Sequence, residues 1–136
     1  MAQNITYGIA QMMEEAGAEI ETIPVDDALS LVGQEGVLLV DLRDPRELER
    51  DGAVPGAFHC PRGMLEFWID PASPYAKAQF QQDKKYVFFC GGGMRSALAA
   101  QIAQKMGLKP VAHIHGGFAA WRKAEGPIVA WTPKKH

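Results

Sequence analysis

The sequence is poor in cysteine, because Cys60 and Cys90 are the only two among 136 residues. They form neither a CxxC pair nor a cysteine and histidine spacing that would hold a metal ion. Two cysteines are also too few for a disulfide framework. We therefore expect at least one of the two thiols to be kept reduced for chemistry.

The sequence also lacks an excess of charge of one sign and a long apolar run. Its 14 basic and 16 acidic residues nearly balance, so it offers no basic surface for nucleic acid or for an anionic membrane. No apolar run approaches the roughly 20 residues that span a bilayer, and the N-terminus lacks a basic segment followed by an apolar stretch. We therefore expect a cytoplasmic protein that binds neither nucleic acid nor a membrane.

The chain is long enough for one domain with a hydrophobic core of its own. Apolar residues at helical spacing between Ile5 and Met13 predict an amphipathic helix that ends near Gly17. We accordingly divide the chain into an N-terminal helical extension, residues 1–20, and a domain over residues 21–130. The last three residues are expected to be frayed: Lys134, Lys135 and His136.

The domain alternates between apolar runs of strand length and segments with helical signals. Strands are predicted at 19–23, 37–42, 57–60, 86–89 and 111–114. Helices are predicted at 25–32, 45–50, 74–81, 96–106 and 118–124. This alternation predicts a parallel α/β sheet with helices on both faces.

The strongest candidate for a reactive group is Cys90, which directly follows the predicted strand 86–89. A side chain at the carboxyl end of a buried parallel strand lies where open α/β sheets bind their ligands. The three glycines that follow allow the backbone to curl around the sulfur and direct N–H groups at it, and the next helix adds the positive end of its dipole. These groups would favour the thiolate, which is only about 3% of a free cysteine at neutral pH.

We therefore predict Cys90 as a nucleophile and Arg95 as its charged partner, in an arrangement that also suits an anionic donor and a persulfide. The remaining residues of the loop are predicted to bind the substrate or the persulfide: Gly91, Gly92, Gly93, Met94 and Ser96. The alternative is a buried structural thiol in a tight turn. Cys60, between His59 and Pro61 and without a glycine loop, is predicted to be structural.

Polar residues at the ends of the other strands are candidates for supporting roles. Asp41 and Arg43 could position the loop through hydrogen bonds, and Glu47 lies four residues beyond Arg43, within reach of a local ion pair. A structural role is favoured for all three. Arg62 either lines the mouth of the pocket or forms an exposed salt bridge.

His115 precedes the Gly116-Gly117 turn that follows the last predicted strand, and no paired carboxylate or serine lies nearby in the sequence. His115 is interpreted as a structural or surface histidine. No metal site is predicted.

Three motifs, in this order and spacing, resemble the rhodanese homology domain over about residues 23–127. Residues 41–47 (DLRDPRE) with 52–57 (GAVPGA) are similar to the family's first signature. Residues 90–96 (CGGGMRS) are similar to its active loop, and residues 113–121 (HIHGGFAAW) to its closing signature. The chain departs from the family at 52–54 and 59–61, where the family often has Gly-His-Ile and Asn-Ile-Pro.

The resemblance implies a rhodanese-like three-layer α/β domain with a five-stranded parallel sheet flanked by helices. It also implies a thiosulfate sulfurtransferase, which takes sulfane sulfur from thiosulfate or a related donor onto Cys90 as a persulfide. The acceptor would be cyanide, a small thiol or a protein that accepts sulfur. This chemistry requires no cofactor.

Two other functions stay open from the sequence. Related phosphatases and arsenate reductases carry one more residue between cysteine and arginine, whereas four residues lie between Cys90 and Arg95 here, which favours sulfur over phosphate. A non-enzymatic interaction module would use the N-terminal helix to dock a partner. The intact nucleophile, the glycines and Arg95 argue against a vestigial site in such a module.

Overall fold

In a computed structural model, which describes residues 2–133, the chain forms a five-stranded parallel sheet. The strands are β1 (Glu21–Ile23), β2 (Val37–Asp41), β3 (Phe58–His59), β4 (Lys85–Phe89) and β5 (Val111–Ile114). The helices are α1 (Ile9–Glu19), α2 (Val25–Ala28), α3 (Pro45–Asp51), α4 (Leu65–Ile69), α5 (Met94–Met106) and α6 (Gly117–Lys123). The residues expected to be frayed, Lys134, Lys135 and His136, lie outside the described residues.

The strand order is β1-β5-β4-β2-β3, which places β4 in the middle of the sheet. The apolar runs of β2 and β4 are buried on both faces, as their continuous hydrophobic sequences require. On one face Val40 and Phe88 pack with the alanines of α5 and with α1 and α4. On the other face Leu39 and Val87 pack with α2 and α6. The expected three-layer α/β fold with helices on both faces is confirmed.

The N-terminal helix α1 begins later than predicted and belongs to the core. It starts at Ile9, after Gly8, and Ile5 is exposed. Ala16 is fully buried in the cluster that α5 covers, and because α1 runs to Glu19, β1 starts only at Glu21. The division of the chain at residue 20 stays a prediction.

The helix predicted at 74–81 is wrong. Residues 73–76 form a turn in which the Tyr75 amide donates to the Ser73 hydroxyl, and only a short 3-10 turn follows at Ala78–Gln81. The serine before Pro74 competes for backbone donors and so favours a turn over a helix. The helix predicted at 25–32 is also shorter, because α2 ends at Ala28 and continues as a 3-10 turn at Leu29–Leu31.

No helix among residues 2–133 combines the length and the apolar character needed to cross a membrane.

Candidate active site

Cys90 directly follows the carboxyl end of β4, the middle strand of the sheet. The preceding residue Phe89 accepts a hydrogen bond from the Leu42 amide (2.9 Å), which ties this end of β4 to the end of β2. Cys90 itself is 1% exposed. The reactive candidate therefore sits at the bottom of its loop rather than on the surface.

The loop after β4 directs two backbone amides at the Cys90 sulfur. The Gly93 N–H donates to Sγ at 3.2 Å and the Ser96 N–H at 3.4 Å, both from the start of α5. The Ser96 hydroxyl lies 3.6 Å from the same sulfur. Gly93 has a φ of +105°, in the left-handed region that favours glycine. These donors and the helix N-terminus favour a negative charge on the sulfur.

The start of α6 holds the same loop from the other side. The Phe118 N–H donates to the Cys90 carbonyl oxygen (2.7 Å), and the Ala119 N–H donates to the Gly91 carbonyl oxygen (3.0 Å). Gly117 has a φ of +58°, and a Cβ there would stand 3.0 Å from the carbonyl carbons of Cys90 and Gly91. The glycine is therefore required for α6 to approach the loop this closely.

Arg95 forms an ion pair with Glu47, which corrects the expectation that Glu47 pairs with Arg43. Both guanidinium nitrogens of Arg95 donate to the Glu47 carboxylate, at 2.9 and 3.1 Å. The carboxylate also accepts from the Asp44 amide (2.8 Å) in a capping box at the start of α3. This capping contact turns Glu47 back toward the loop.

The ion pair shifts the pKa values of Glu47 and Arg95 in the directions that keep both side chains charged. The hydrogen bond from Arg95 lowers the pKa of Glu47, against the opposing effect of partial burial. The hydrogen bond to Glu47 is the main cause of a raised pKa at Arg95, and the nearby Cys90 sulfur adds to it. Arg95 therefore stays cationic, with its charge largely compensated by Glu47.

Asp41 and Arg43 form a buried ion pair instead of bonding to the loop. Both are 1% exposed, with Arg43 Nη2 2.7 Å from Asp41 Oδ2. The same nitrogen donates to the Gly52 carbonyl oxygen (2.9 Å). The guanidinium also lies 3.9 Å from the centre of the Phe118 ring. The pair thus supports the site through Phe118, whose amide holds the Cys90 carbonyl.

Arg62 forms a partly exposed i,i+4 salt bridge with Glu66, at 2.8 Å. This is the second of the two roles considered for it. Its participation in a pocket mouth stays a prediction.

Cys60 has a different environment from Cys90. It is fully buried, and the nearest hydrogen-bonding contact of its sulfur is the carbonyl oxygen of Pro61, an acceptor, at 3.7 Å. Burial raises the pKa of the Cys60 thiol to about 12. This environment disfavours a thiolate, as the structural role predicted for Cys60 requires.

The sequence analysis did not single out His113 for the site. Its Nδ1 lies 3.0 Å from the Ser96 hydroxyl and its Nε2 lies 3.2 Å from the Thr22 hydroxyl. His113 is 6% exposed, whereas His115 is exposed. The signal available in the sequence was the predicted strand 111–114, which contains His113 and ends before His115.

No three His, Cys, Asp or Glu side chains within residues 2–133 are grouped closely enough to hold a metal ion.

Comparison with known proteins shows which family the chain resembles. The family model described as Rhodanese-like domain matches residues 24–124. A sulfurtransferase of Allochromatium vinosum is 32% identical over 100 residues, which are 74% of this chain and 85% of that protein.

Two solved structures share the fold. A protein of unknown function from Rhodopseudomonas palustris, described as a possible tyrosine phosphatase, has 64% identity and a TM-score of 0.93, covering 95% of this chain and 99% of that one. The thiosulfate sulfurtransferase of Pseudomonas aeruginosa has 20% identity and a TM-score of 0.73, covering 91% of this chain and 23% of that one. The fold, the loop after β4 and these matches show that the chain belongs to the rhodanese-like domain family.

Proposed function

We propose that the protein is a sulfurtransferase that carries sulfane sulfur on Cys90 as a persulfide. The observation that carries the proposal is the pair of amides, from Gly93 and Ser96, that point at Sγ from the start of α5. They favour an anionic sulfur without any cofactor. The relative from Allochromatium vinosum, which is named a sulfurtransferase, supports the same class of activity.

In the first half of the reaction, the Cys90 thiolate attacks the outer sulfur of the donor. The bond that joins this sulfur to the rest of the donor breaks, which is a sulfur–sulfur bond in thiosulfate and in a persulfide and a carbon–sulfur bond in mercaptopyruvate. Its electron pair leaves with the remainder, which is sulfite when the donor is thiosulfate. A persulfide anion remains on Cys90.

In the second half, cyanide or an acceptor thiolate attacks the outer sulfur of that persulfide. The bond between the two sulfurs breaks, and its electron pair returns to Cys90 Sγ as a thiolate. The Gly93 and Ser96 amides lie where this leaving-group charge forms.

The charges around the loop bear on the choice of donor. The Glu47 carboxylate offsets the Arg95 charge, and a cavity of about 160 Å³ beside Gly91 is lined by Arg50 and Arg122 as well as by Asp51. Asp51 binds both of these arginines. Because these positive charges are largely compensated by carboxylates, we expect no strong preference for a doubly charged donor. Thiosulfate and less charged persulfide donors are both candidate substrates.

The proposal is tested by steady-state sulfur transfer to cyanide and to a small thiol, with thiosulfate, mercaptopyruvate and glutathione persulfide as donors. We expect turnover with at least one donor in the parent protein and none above background in Cys90→Ala. Absence of transfer from all three donors, in a folded protein with a free Cys90 thiol, would contradict the proposal.

A phosphatase is the second candidate, because the Rhodopseudomonas palustris protein is described as a possible tyrosine phosphatase. Four residues between Cys90 and Arg95 leave a narrower loop than phosphatases use. The buried Asp41 carboxylate is held by Arg43 and is not free to act as a general acid. Turnover of an aryl phosphate that disappears in Cys90→Ala, without sulfur transfer, would favour the phosphatase.

A further inference from the structure

A row of polar side chains leads from the Cys90 sulfur into the sheet. The Ser96 hydroxyl lies 3.6 Å from Sγ and 3.0 Å from His113 Nδ1, and His113 Nε2 lies 3.2 Å from the Thr22 hydroxyl. Cys90, Ser96 and His113 are all buried. The sulfur transfer described above uses the Ser96 amide but neither its hydroxyl nor His113.

A histidine on the inward face of a sheet strand needs its ring nitrogens satisfied, because burial of an unpaired polar group is costly. Burial lowers the pKa of His113, and the neighbouring His115 lowers it further. His113 is therefore neutral at neutral pH, with a hydrogen on one ring nitrogen only. When Nε2 donates to Thr22, the Nδ1 lone pair faces the Ser96 hydroxyl.

We propose that Ser96 and His113 form a proton relay that takes the proton of the Cys90 thiol and returns it after sulfur transfer. The inference rests on the proposed function in one respect, which is that Cys90 is the nucleophile. His113 acts on the sulfur only through Ser96 and is a positioning residue.

The proton balance of the relay is simple. The Cys90 S–H gives its proton to the Ser96 oxygen while the Ser96 hydroxyl proton moves to His113 Nδ1, which leaves a thiolate and an imidazolium. The thiolate then attacks the donor. When the acceptor has taken the outer sulfur, the imidazolium returns its proton through Ser96 to the Cys90 sulfur.

In the part of the chain that the structure describes, one titratable neighbour, His115, acts on His113. The residues that face its ring from the neighbouring elements are uncharged: Phe88 on β4, Thr22 on β1 and Ser96 on α5. His115 lies just beyond the end of β5 and is exposed, and a charge on it opposes a charge on His113. On α1, the Glu19 carboxylate accepts a hydrogen bond from Gln101 of α5.

One competing acceptor lies close to the relay. The Ser96 hydroxyl is 3.2 Å from the Gly93 carbonyl oxygen. The hydroxyl has one proton, which it donates either to this carbonyl oxygen or to His113 Nδ1 at 3.0 Å. The relay uses the second of these two hydrogen bonds.

The relay is tested by the pH dependence of Cys90 alkylation with iodoacetamide, followed by mass spectrometry of the peptide that carries Cys90. The variants are Ser96→Ala, His113→Gln and the double variant, with Lys105→Gln, at an exposed position of α5, as a control. In both single variants we expect the midpoint of the pH profile to rise by about one unit, and alkylation at neutral pH to slow about tenfold.

The double variant should shift no further than the larger single one, because the two residues act in one chain. The control should stay within about twofold of the parent at every pH. Thermal unfolding of each variant shows whether the protein is folded. If His113→Gln does not fold, Ser96→Ala still tests the relay, because it removes only one oxygen atom.

An unchanged pH profile in a folded His113→Gln protein would overturn the relay, since a purely structural histidine changes stability and not the profile. A shift in Ser96→Ala alone would overturn it as well. Iodoacetamide needs no sulfur donor, so these outcomes are independent of whether the protein transfers sulfur.

Discussion

The two thiols of this protein are both buried at the carboxyl ends of parallel strands, and they differ in the backbone that follows them. Cys60 comes after β3 and is followed by Pro61, which has no N–H to donate. Cys90 comes after β4 and is followed by glycines and a helix whose amides reach its sulfur. The pKa of Cys60 rises to about 12 through burial.

Burial therefore does not decide which thiol is suited to chemistry. The deciding difference is whether buried N–H groups replace the water that a thiolate would lose. Gly93 and Ser96 provide such groups at 3.2 and 3.4 Å. The Cys60 sulfur instead has a hydrogen-bonding contact with the carbonyl oxygen of Pro61, which repels a negative sulfur.

The largest expected difference between the two thiols is in alkylation of the native protein. At about pH 8 a thiol with a pKa of about 12 is a thiolate in roughly one molecule in ten thousand. We expect iodoacetamide to label Cys90 at least about a hundredfold faster than Cys60. The measurement is peptide mapping by mass spectrometry, with the denatured protein as a control in which both sites react. Equal rates of labelling at Cys60 and Cys90 in the native protein would contradict this expected difference.

Two glycines at opposite ends of the sheet sharpen the same comparison. In Gly93→Ala, the new Cβ meets the Gly116 nitrogen at 3.3 Å on a backbone with φ +105°, so the amide that points at Sγ should move. We expect sulfur transfer to fall about tenfold or more. Gly36→Ala, just before β2, has nothing within 4 Å of its Cβ and should stay within about twofold. Equal losses in the two variants would show that activity does not depend on the position of the Gly93 amide.

Removal of the other thiol should affect stability and leave the chemistry intact. Cys60 is fully buried in the main core, so Cys60→Ala should lower the free energy of unfolding by about 1–2 kcal/mol. Sulfur transfer should remain within about twofold of the parent. Denaturant unfolding and steady-state turnover measure the two effects. A large loss of turnover in a folded Cys60→Ala protein would give Cys60 a role in the site.

The smallest expected effect concerns the ion pair between Glu47 and Arg95, beside the Cys90 loop. The lowered pKa of Glu47 means that its contribution to stability is present above the usual carboxyl range and is lost as the pH falls through the lowered value. Arg95 is 42% exposed, so solvent screening limits the contribution to less than about 1 kcal/mol.

Thermal unfolding of the parent and of Glu47→Gln as a function of pH measures this pair. The parent should be slightly more stable at neutral pH, and the difference should vanish in acid. Glu49→Gln, on the same helix and exposed, serves as the control. A stability difference that persists in acid would show that Glu47 acts by packing and not by its charge.

Much of the fold could be predicted from the sequence, because its strongest signals are local. The continuous apolar runs of β2 and β4 and the thiol followed by three glycines are each readable from neighbouring residues. The predicted helix at 74–81 failed because Ser73 and Pro74 form a turn whose hydrogen bonds compete with a helix.

The contacts that complete the site could not be read in this way. Glu47 lies four residues from Arg43 and 48 residues from Arg95, so a local rule selects the wrong partner. His113 meets Ser96 only because β5 lies beside β4 under α5. Such pairs depend on sheet order and helix packing, which the local pattern does not contain.

Intact mass spectrometry of the reduced protein after brief exposure to thiosulfate or glutathione persulfide tests the central claim most directly. The parent and Cys60→Ala should each gain one sulfur atom, and Cys90→Ala should gain none. A gain that persists in Cys90→Ala but disappears in Cys60→Ala, or no gain in any of the three proteins, would contradict the account.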